Sequence, residues 1–310
     1  MVKIGIGALS RCFRRRLLPA SLACSLALPA VLAGTELHVG EGKAFPRPSS
    51  AAAAAKDGDM VVIHAGVYRR DVCAWRASNL VIKGEGPAKS ILDSEGTVCG
   101  GKAIWILQGT NTSVEGLCFR GAASRDRNGA GIRLEADGLA VLDCRFEGNE
   151  NGILCGALPG CTVTLRRCSF YNNGAGDGFS HNLYIGAIRK LVLVQCDSRY
   201  ANKGHCLKSR AFETVLDRGA FDDMPDGRSS YLADFPDGGR VTIRASTFIQ
   251  SPSASNGTML CYGEESHGRP GNALTIEGCE FKDYRKSGAF LSITPTNLIP
   301  SVAGTRFLKP

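Results

Sequence analysis

A short pattern returning about every 27 residues constrains this chain more than any other feature. It reads Leu117-Cys118-Phe119, Cys144-Arg145-Phe146, Cys168-Ser169-Phe170, Cys196-Asp197-Ser198, Gly219-Ala220-Phe221, Ser246-Thr247-Phe248, Cys279-Glu280-Phe281 and Thr305-Arg306-Phe307. In seven of the eight copies a small, polar or charged residue lies between two positions that would face inward, as a half-buried strand requires; Cys118 is the exception. Polar or Gly-rich turns follow, such as Asn149-Glu150-Asn151-Gly152 and Asn172-Asn173-Gly174. One such strand cannot bury its face, whereas stacked coils can, so the repeat predicts an array. A barrel or propeller would need antiparallel hairpins with tight two-residue turns, and the sequence offers ladders instead. The expected fold class is all-β: one single-stranded parallel β-helix of about nine coils, roughly 40 to 45 Å long at about 4.8 Å per coil.

The first 33 residues differ in kind from the rest. Arg11, Arg14, Arg15 and Arg16 precede an apolar stretch from Leu17 to Ala33, and Val31-x-Ala33 stands before Gly34. This reads as a secretory signal, with residues 34–310 as the β-helix domain and a periplasmic or secreted location as the consequence. A retained anchor is the other reading, but Pro19 and Pro29 suit a membrane span poorly. No later stretch could cross a membrane. Without residues 1–33 the net charge falls from +8 to +3, so the basic balance gives no support to nucleic-acid binding.

Eleven of the 13 cysteines lie beyond residue 33. Cys144, Cys168, Cys196 and Cys279 share a repeat position and read as buried small hydrophobes. Cys73 with Cys99, and Cys155 with Cys161, are the disulfide candidates for an oxidising compartment. No Cys/His spacing suggests zinc.

Residues 34–100 form the opening of the domain. A strand around Leu37-His38-Val39-Gly40 precedes the alanine run Ser49 to Lys56, where Ser49 or Ser50 could cap a helix. Then come Gly58-Asp59-Met60-Val61-Val62-Ile63-His64-Ala65-Gly66-Val67-Tyr68 and Asn79-Leu80-Val81-Ile82-Lys83-Gly84. This order closely resembles the N-terminal cap of right-handed parallel β-helix proteins of the pectate-lyase and pectin-esterase type. The resemblance implies a right-handed helix whose capping helix shields an otherwise unpaired sheet edge. At the other end, the last ladder copy at Phe307 leaves no evident cap: either Pro310 ends the edge or another subunit covers that coil.

A second strand lies between successive ladder strands. Asn151-Gly152-Ile153-Leu154-Cys155-Gly156, His181-Asn182-Leu183-Tyr184-Ile185-Gly186, Gly204-His205-Cys206-Leu207-Lys208-Ser209-Arg210, Ser230-Tyr231-Leu232-Ala233-Asp234-Phe235 and Thr258-Met259-Leu260-Cys261-Tyr262-Gly263 align on an apolar residue two places before Cys155, Ile185, Ser209, Asp234 and Tyr262. The alignment predicts an outer column of Tyr184, Lys208 and Ala233, with Gly186, Arg210 and Phe235 beside it and Asp234 inward. Lys208 and Arg210 would stand about 6 to 7 Å apart on one face.

That pairing has a chemical reading. A uronate polymer undergoes β-elimination when its carboxylate is neutralised, a base removes the C5 proton and an acid protonates the leaving oxygen. A lysine is a poor base at its ordinary pKa of about 10.4, and a neighbouring guanidinium with partial desolvation lowers such a value. Arg210 could hold the sugar carboxylate bidentately. Tyr184 could stack on a sugar or donate a proton, and His181 and His205 could do either or hydrogen-bond turn backbones. Asn182, Tyr231, Glu264 and Glu265 are the candidate substrate contacts, with Glu264 and Glu265 also able to face Arg210 as a salt-bridge column.

Leu207-Lys208-Ser209-Arg210 resembles the Lys-Ser segment of β-helical alginate and chondroitinase-B-type lyases, which implies Lys208 as base and Arg210 as its assistant. Those enzymes carry acidic calcium ligands on the preceding coils; the aligned positions here are Gly152, Leu154, Asn182 and Tyr184, so no cofactor is expected and calcium lacks support. The run from His181 to Gly263 is also similar to secreted bacterial β-helix proteins with the pattern His-Asn-Leu-Tyr-x-Gly, Gly-His-x-x-Lys-Ser-Arg-Ala, Ser-Ser-Tyr and Pro-x-Gly-Gly. The expected function is a lyase or C5-epimerase acting on an acidic polysaccharide. The alternative is a non-catalytic β-helix that binds glycan or joins an envelope assembly, with Lys208 and Arg210 as solvated strand residues. Hydrolysis by paired carboxylates would need Asp234 with Glu264 or Glu265, and Asp234 is predicted to face inward.

Overall fold

The phenylalanines of the repeat stack in register. In the computed structural model, which describes residues 34–266, 269–294 and 298–310, successive coils pair Phe119, Phe146, Phe170, Ser198, Phe221, Phe248, Phe281 and Phe307 across parallel strands. Ring centroids of adjacent phenylalanines lie 4.7 to 5.1 Å apart, the spacing set by strand pairing. Each ring fills the volume between its neighbours, so the column adds stacking to area burial. Ser198 interrupts it.

Among the described residues every strand pairs in parallel, in three sheets of 11, 10 and 9 strands. Each complete coil contributes one strand to each sheet, and with the incomplete coils at the ends there are about ten turns, in keeping with the expected nine or so. The first sheet runs from Glu36–Val39 to Ser301–Ala303, the second from Gly66–Arg69 to Arg306–Leu308, and the third from Cys73–Trp75 to Ala289–Ile293. The second holds the repeat pattern. The single helix among the described residues, Pro48–Ala54, buries Pro48 and Ala51 over the first coil. Its N-cap is Arg47, with Pro48 opening the first turn, where a missing N–H costs nothing. The expectation of a Ser49 or Ser50 cap is therefore corrected: both lie inside the helix, and Ser49 bonds Asp71 through its N–H and hydroxyl (2.9 and 2.5 Å).

The corner between the second and third sheets carries buried polar side chains, each bonded. Asn149 donates to Phe119 O and to Asn173 Oδ1, Asn173 donates to Asn182 Oδ1, and Asn182 donates to Ser198 Oγ and Arg199 O. This ladder satisfies backbone groups where the chain turns without a regular strand partner. It also corrects the reading of Asn182 as a substrate contact, because the side chain is fully buried and all its polar atoms are taken inside.

The repeat cysteines Cys144, Cys168, Cys196 and Cys279 are buried, and Cys118 is covered by Glu147 at 3.8 Å. Cys73, Cys99, Cys155 and Cys161 are free thiols, so the two expected disulfides are absent from this structure. Cys155 and Cys161 both lie in the main core, Cys155 on a strand position paired with inward Ile185. The strands Ser301–Ala303 and Arg306–Leu308 are exposed along their length. The signal-like residues 1–33 lie outside the described residues, among which no helix is long and apolar enough to cross a membrane.

Candidate functional site

The outer face of the third sheet changes character along its length. Its outward column runs Ile106, Arg133, Leu154, Tyr184, Lys208, Asp234, Cys261 and Ser292. In the early coils, Ile106 and Leu154 join Ala103 and Ala130 in a small apolar cluster outside the main core, with Tyr184 packed at its border. Polar chemistry begins there.

The register corrects the predicted column at one coil. Lys208 pairs with Asp234, while Ala233 and Phe235 point inward and are fully buried. The sequence alignment matched Leu232 to Leu207, one place early. Leu232 is also buried, but it sits in the turn ahead of the strand Ala233–Phe235. A one-residue slip exchanges the faces of a strand, so Asp234 joins the site and Ala233 and Phe235 leave it.

Lys208 and Arg210 converge on one carboxylate. Lys208 Nζ lies 2.8 Å from Glu265 Oε1, and Arg210 Nη2 donates to Glu265 Oε2. Lys208 Nζ is also 3.6 Å from Asp234 Oδ2. Arg210 is held on two more sides, by Asp237 Oδ1 at 2.8 Å and by Tyr184 Oη at 3.3 Å. Arg269 donates to Asp237 Oδ2 (2.6 Å) and to the Arg210 carbonyl (2.9 Å), with its guanidinium 4.3 Å above the Phe212 ring. Burial works against the charge of Arg210, but the bonds to Glu265 and Tyr184 raise its pKa overall. Partial burial likewise opposes ionisation of Glu265, and the bonds from Lys208 and Arg210 overcome it, holding its carboxyl below the ordinary range.

Asp234 has the opposite balance. It is 3% exposed, and burial pushes its carboxyl up to about 7 although Lys208 pulls the other way. Among the described residues no hydrogen bond reaches its side chain; its neighbours there are Lys208 Nζ and, at 3.5 Å, His205 Nε2.

His181 and His205 stack with ring centroids 4.6 Å apart. His181 Nδ1 accepts the N–H of His205 (3.0 Å), and His205 Nδ1 accepts the N–H of Tyr231 (3.1 Å). An accepting Nδ1 places the ring proton on Nε2. Burial, aided by nearby Lys208 and Arg210, lowers His181 to about 3; burial and His181 depress His205 as well. The two histidines thus form a neutral column that pins the turns entering the site. Gly204 belongs to this device, since a Cβ there would fall 1.8 Å from the Ser180 carbonyl oxygen. The rung below continues with Tyr231, whose hydroxyl donates to Glu264 Oε2 at 2.9 Å, and Glu264 also takes Cys261 Sγ at 3.0 Å.

Of the sequence-predicted residues, the structure gathers Tyr184, Lys208, Arg210, His181, His205, Tyr231, Glu264 and Glu265 on one face, and removes Asn182. Asp234, predicted to face inward, stands outward instead, and Asp237, Arg269 and Cys261 have no place among the sequence-predicted residues. Asp237 occupies the variable place of Pro236-Asp237-Gly238-Gly239, which gave no reason to select it. Among the described residues, no group of three or more His, Cys, Asp or Glu is arranged to hold a metal ion.

No family model and no curated protein matches the chain. Solved structures do. An alginate lyase from Paenibacillus sp. FPU-7 superposes with a TM-score of 0.56 at 15% identity, over 84% of this chain and 91% of the other. The pectin methylesterase PemA from Erwinia chrysanthemi gives 0.53 at 14% identity, over 88% and 92%. The chain shares their right-handed parallel β-helix fold. Another match, ORF18 of Geobacillus virus E2, gives 0.55 at 14% identity over 81% of this chain, which spans 54% of that protein. At such identities the likeness is one of β-helix architecture alone.

Proposed function

We propose that the face from Tyr184 to Glu265 acts on an acidic polysaccharide by removing the C5 proton of a uronate, as a lyase or a C5-epimerase. The observation that carries this is the convergence of Lys208 and Arg210 on both oxygens of one carboxylate, beside a buried carboxyl raised to about 7. In a bound uronate, C5 is bonded to the carboxylate carbon. A carboxylate seated where Glu265 sits therefore brings C5 close to Lys208. Arg210 holds the carboxylate and stabilises the enolate that forms as C5 loses its proton. Lys208 first passes its own proton to Asp234 and takes the C5 proton as a neutral amine. In elimination the C4–O bond then breaks and the leaving oxygen takes a proton from Tyr184 or Asp234. In epimerisation C5 is reprotonated on the opposite face. The names borne by fold relatives, an alginate lyase and a pectin methylesterase, support acidic polysaccharide as the substrate class. The basic and apolar stretch before residue 34 supports a secreted or periplasmic location, where such polymers occur.

The test is incubation with a panel of polyuronates. The rise in ultraviolet absorbance from a C4=C5 double bond reports elimination, and deuterium entering C5 from heavy water reports epimerisation. Lys208→Ala should abolish both while leaving retardation in acidic-glycan gels. Wild-type protein that produces neither signal on any polymer refutes the catalytic reading and leaves glycan binding. A second reading, hydrolysis, draws support from the outward turn of Asp234 beside Glu264 and Glu265; it would release new reducing ends without a double bond.

A further inference from the structure

Glu265 is the group that the candidate substrate would have to displace. Both its oxygens are engaged, by Lys208 and by Arg210, and both cations are largely covered, with side chains 13% and 22% exposed. Glu265 itself is 47% exposed and comes from the turn after Thr258–Tyr262, two coils beyond Lys208. Its neighbour Glu264 is turned elsewhere, onto Tyr231 and Cys261. Among the described residues the face holds three cations, Lys208, Arg210 and Arg269, against the carboxylates Asp234, Asp237, Glu264 and Glu265. Among them there is no surplus positive charge for an anion.

We infer that Glu265 is a specificity-determining residue, an internal competitor that fills the carboxylate seat of Lys208 and Arg210 and admits only ligands that bring a carboxylate of their own. This deepens the reading above and rests on it. An exchange of one carboxylate for another leaves both cations paired, so an acidic saccharide loses little at the seat. A neutral saccharide that displaces Glu265 leaves two desolvated cations without a partner, a loss far larger than a sugar hydroxyl returns. A neutral saccharide that does not displace it finds the seat filled. Selectivity thus comes from the cost imposed on the wrong ligand as much as from attraction to the right one.

The experiment compares wild type, Glu265→Gln and Glu264→Gln, each checked by its melting curve, for binding of galacturonate and mannuronate oligosaccharides and of neutral malto- and manno-oligosaccharides. Glu265→Gln removes the competitor's charge at an exposed turn, while Glu264→Gln changes a carboxylate that does not touch the seat. The expected result is a gain of at least tenfold in affinity for the acidic ligands with Glu265→Gln, suppressed by salt, and no gain with Glu264→Gln. Wild type that binds uronates, joined with a Glu265→Gln variant that binds them equally or more weakly, overturns the inference and leaves the proposed function standing. If neither folded protein binds any uronate oligosaccharide, the proposed function fails and the inference fails with it.

Discussion

Replacing Asp234 by Asn tests the electrostatics of the site without reference to any ligand. Its carboxyl rises from 3.8 to about 7 on folding. A raised carboxyl is one whose ionised form the fold disfavours. Below pH 4 the group is protonated in both states and has no effect; between about pH 4 and pH 7 the unfolded chain releases the proton and the folded chain does not, so stability falls as pH rises. Three units at about 1.36 kcal/mol each give a cost of about 4 kcal/mol, fully present above pH 7. The side chain is buried, so solvent screening takes little from this figure. Asparagine keeps the shape and removes the ionisation. Asp234→Asn should therefore match wild type near pH 4 and exceed it by about 4 kcal/mol at pH 8, or about 8 °C in midpoint for a domain of this size. His181 works in the other direction: its pKa falls from 6.5 to about 3 on folding, so acidification through that window removes up to about 5 kcal/mol. Asp234 and His181 contribute opposed slopes to the wild-type profile, and the difference between wild type and variant isolates the Asp234 slope. Urea midpoints at equal m-value, measured from pH 4 to pH 9, read the difference directly. A variant equally or less stable than wild type at pH 8, or a gap that does not widen between pH 4 and pH 7, refutes the argument.

Two further outcomes concern the scaffold. Phe146→Ala opens a void between two stacked rings and should cost about 3 to 5 kcal/mol, read as a lower urea midpoint, whereas Ser198, already at a gap in the column, should accept Ala with a smaller loss. Residues 34–310 should show eleven reactive thiols when denatured without reductant, and in the native state only partly exposed Cys99 should react readily with an aromatic disulfide reagent; fewer than eleven thiols would restore a disulfide.

The fold was legible because its information is local and repeated. Phenylalanine at every 27th residue or so can be buried by stacked coils and by little else, and the spacing alone fixes the second sheet. Strand phase in the third sheet was legible where the spacing was constant, through Leu183 and Leu207, which is why Tyr184, Lys208 and Arg210 were placed on one face. It failed at Leu232, where two adjacent apolar residues, Leu232 and Ala233, could each begin the strand and only the next coil, pairing Ala233 with Leu260, decided between them. Asn182 was misjudged because an asparagine ladder has no signature separable from a polar turn.

By itself, then, the sequence determined the β-helix, its capping helix and the rung on which the basic pair stands. Tertiary structure alone decided what that pair touches. Glu265, Asp237 and Arg269 reach Lys208 and Arg210 from 27 to 59 residues away, and no repeat relates a turn on one coil to a strand two coils back. Charges find partners by proximity in space, and in a stacked coil that proximity runs along the axis, across the chain rather than along it.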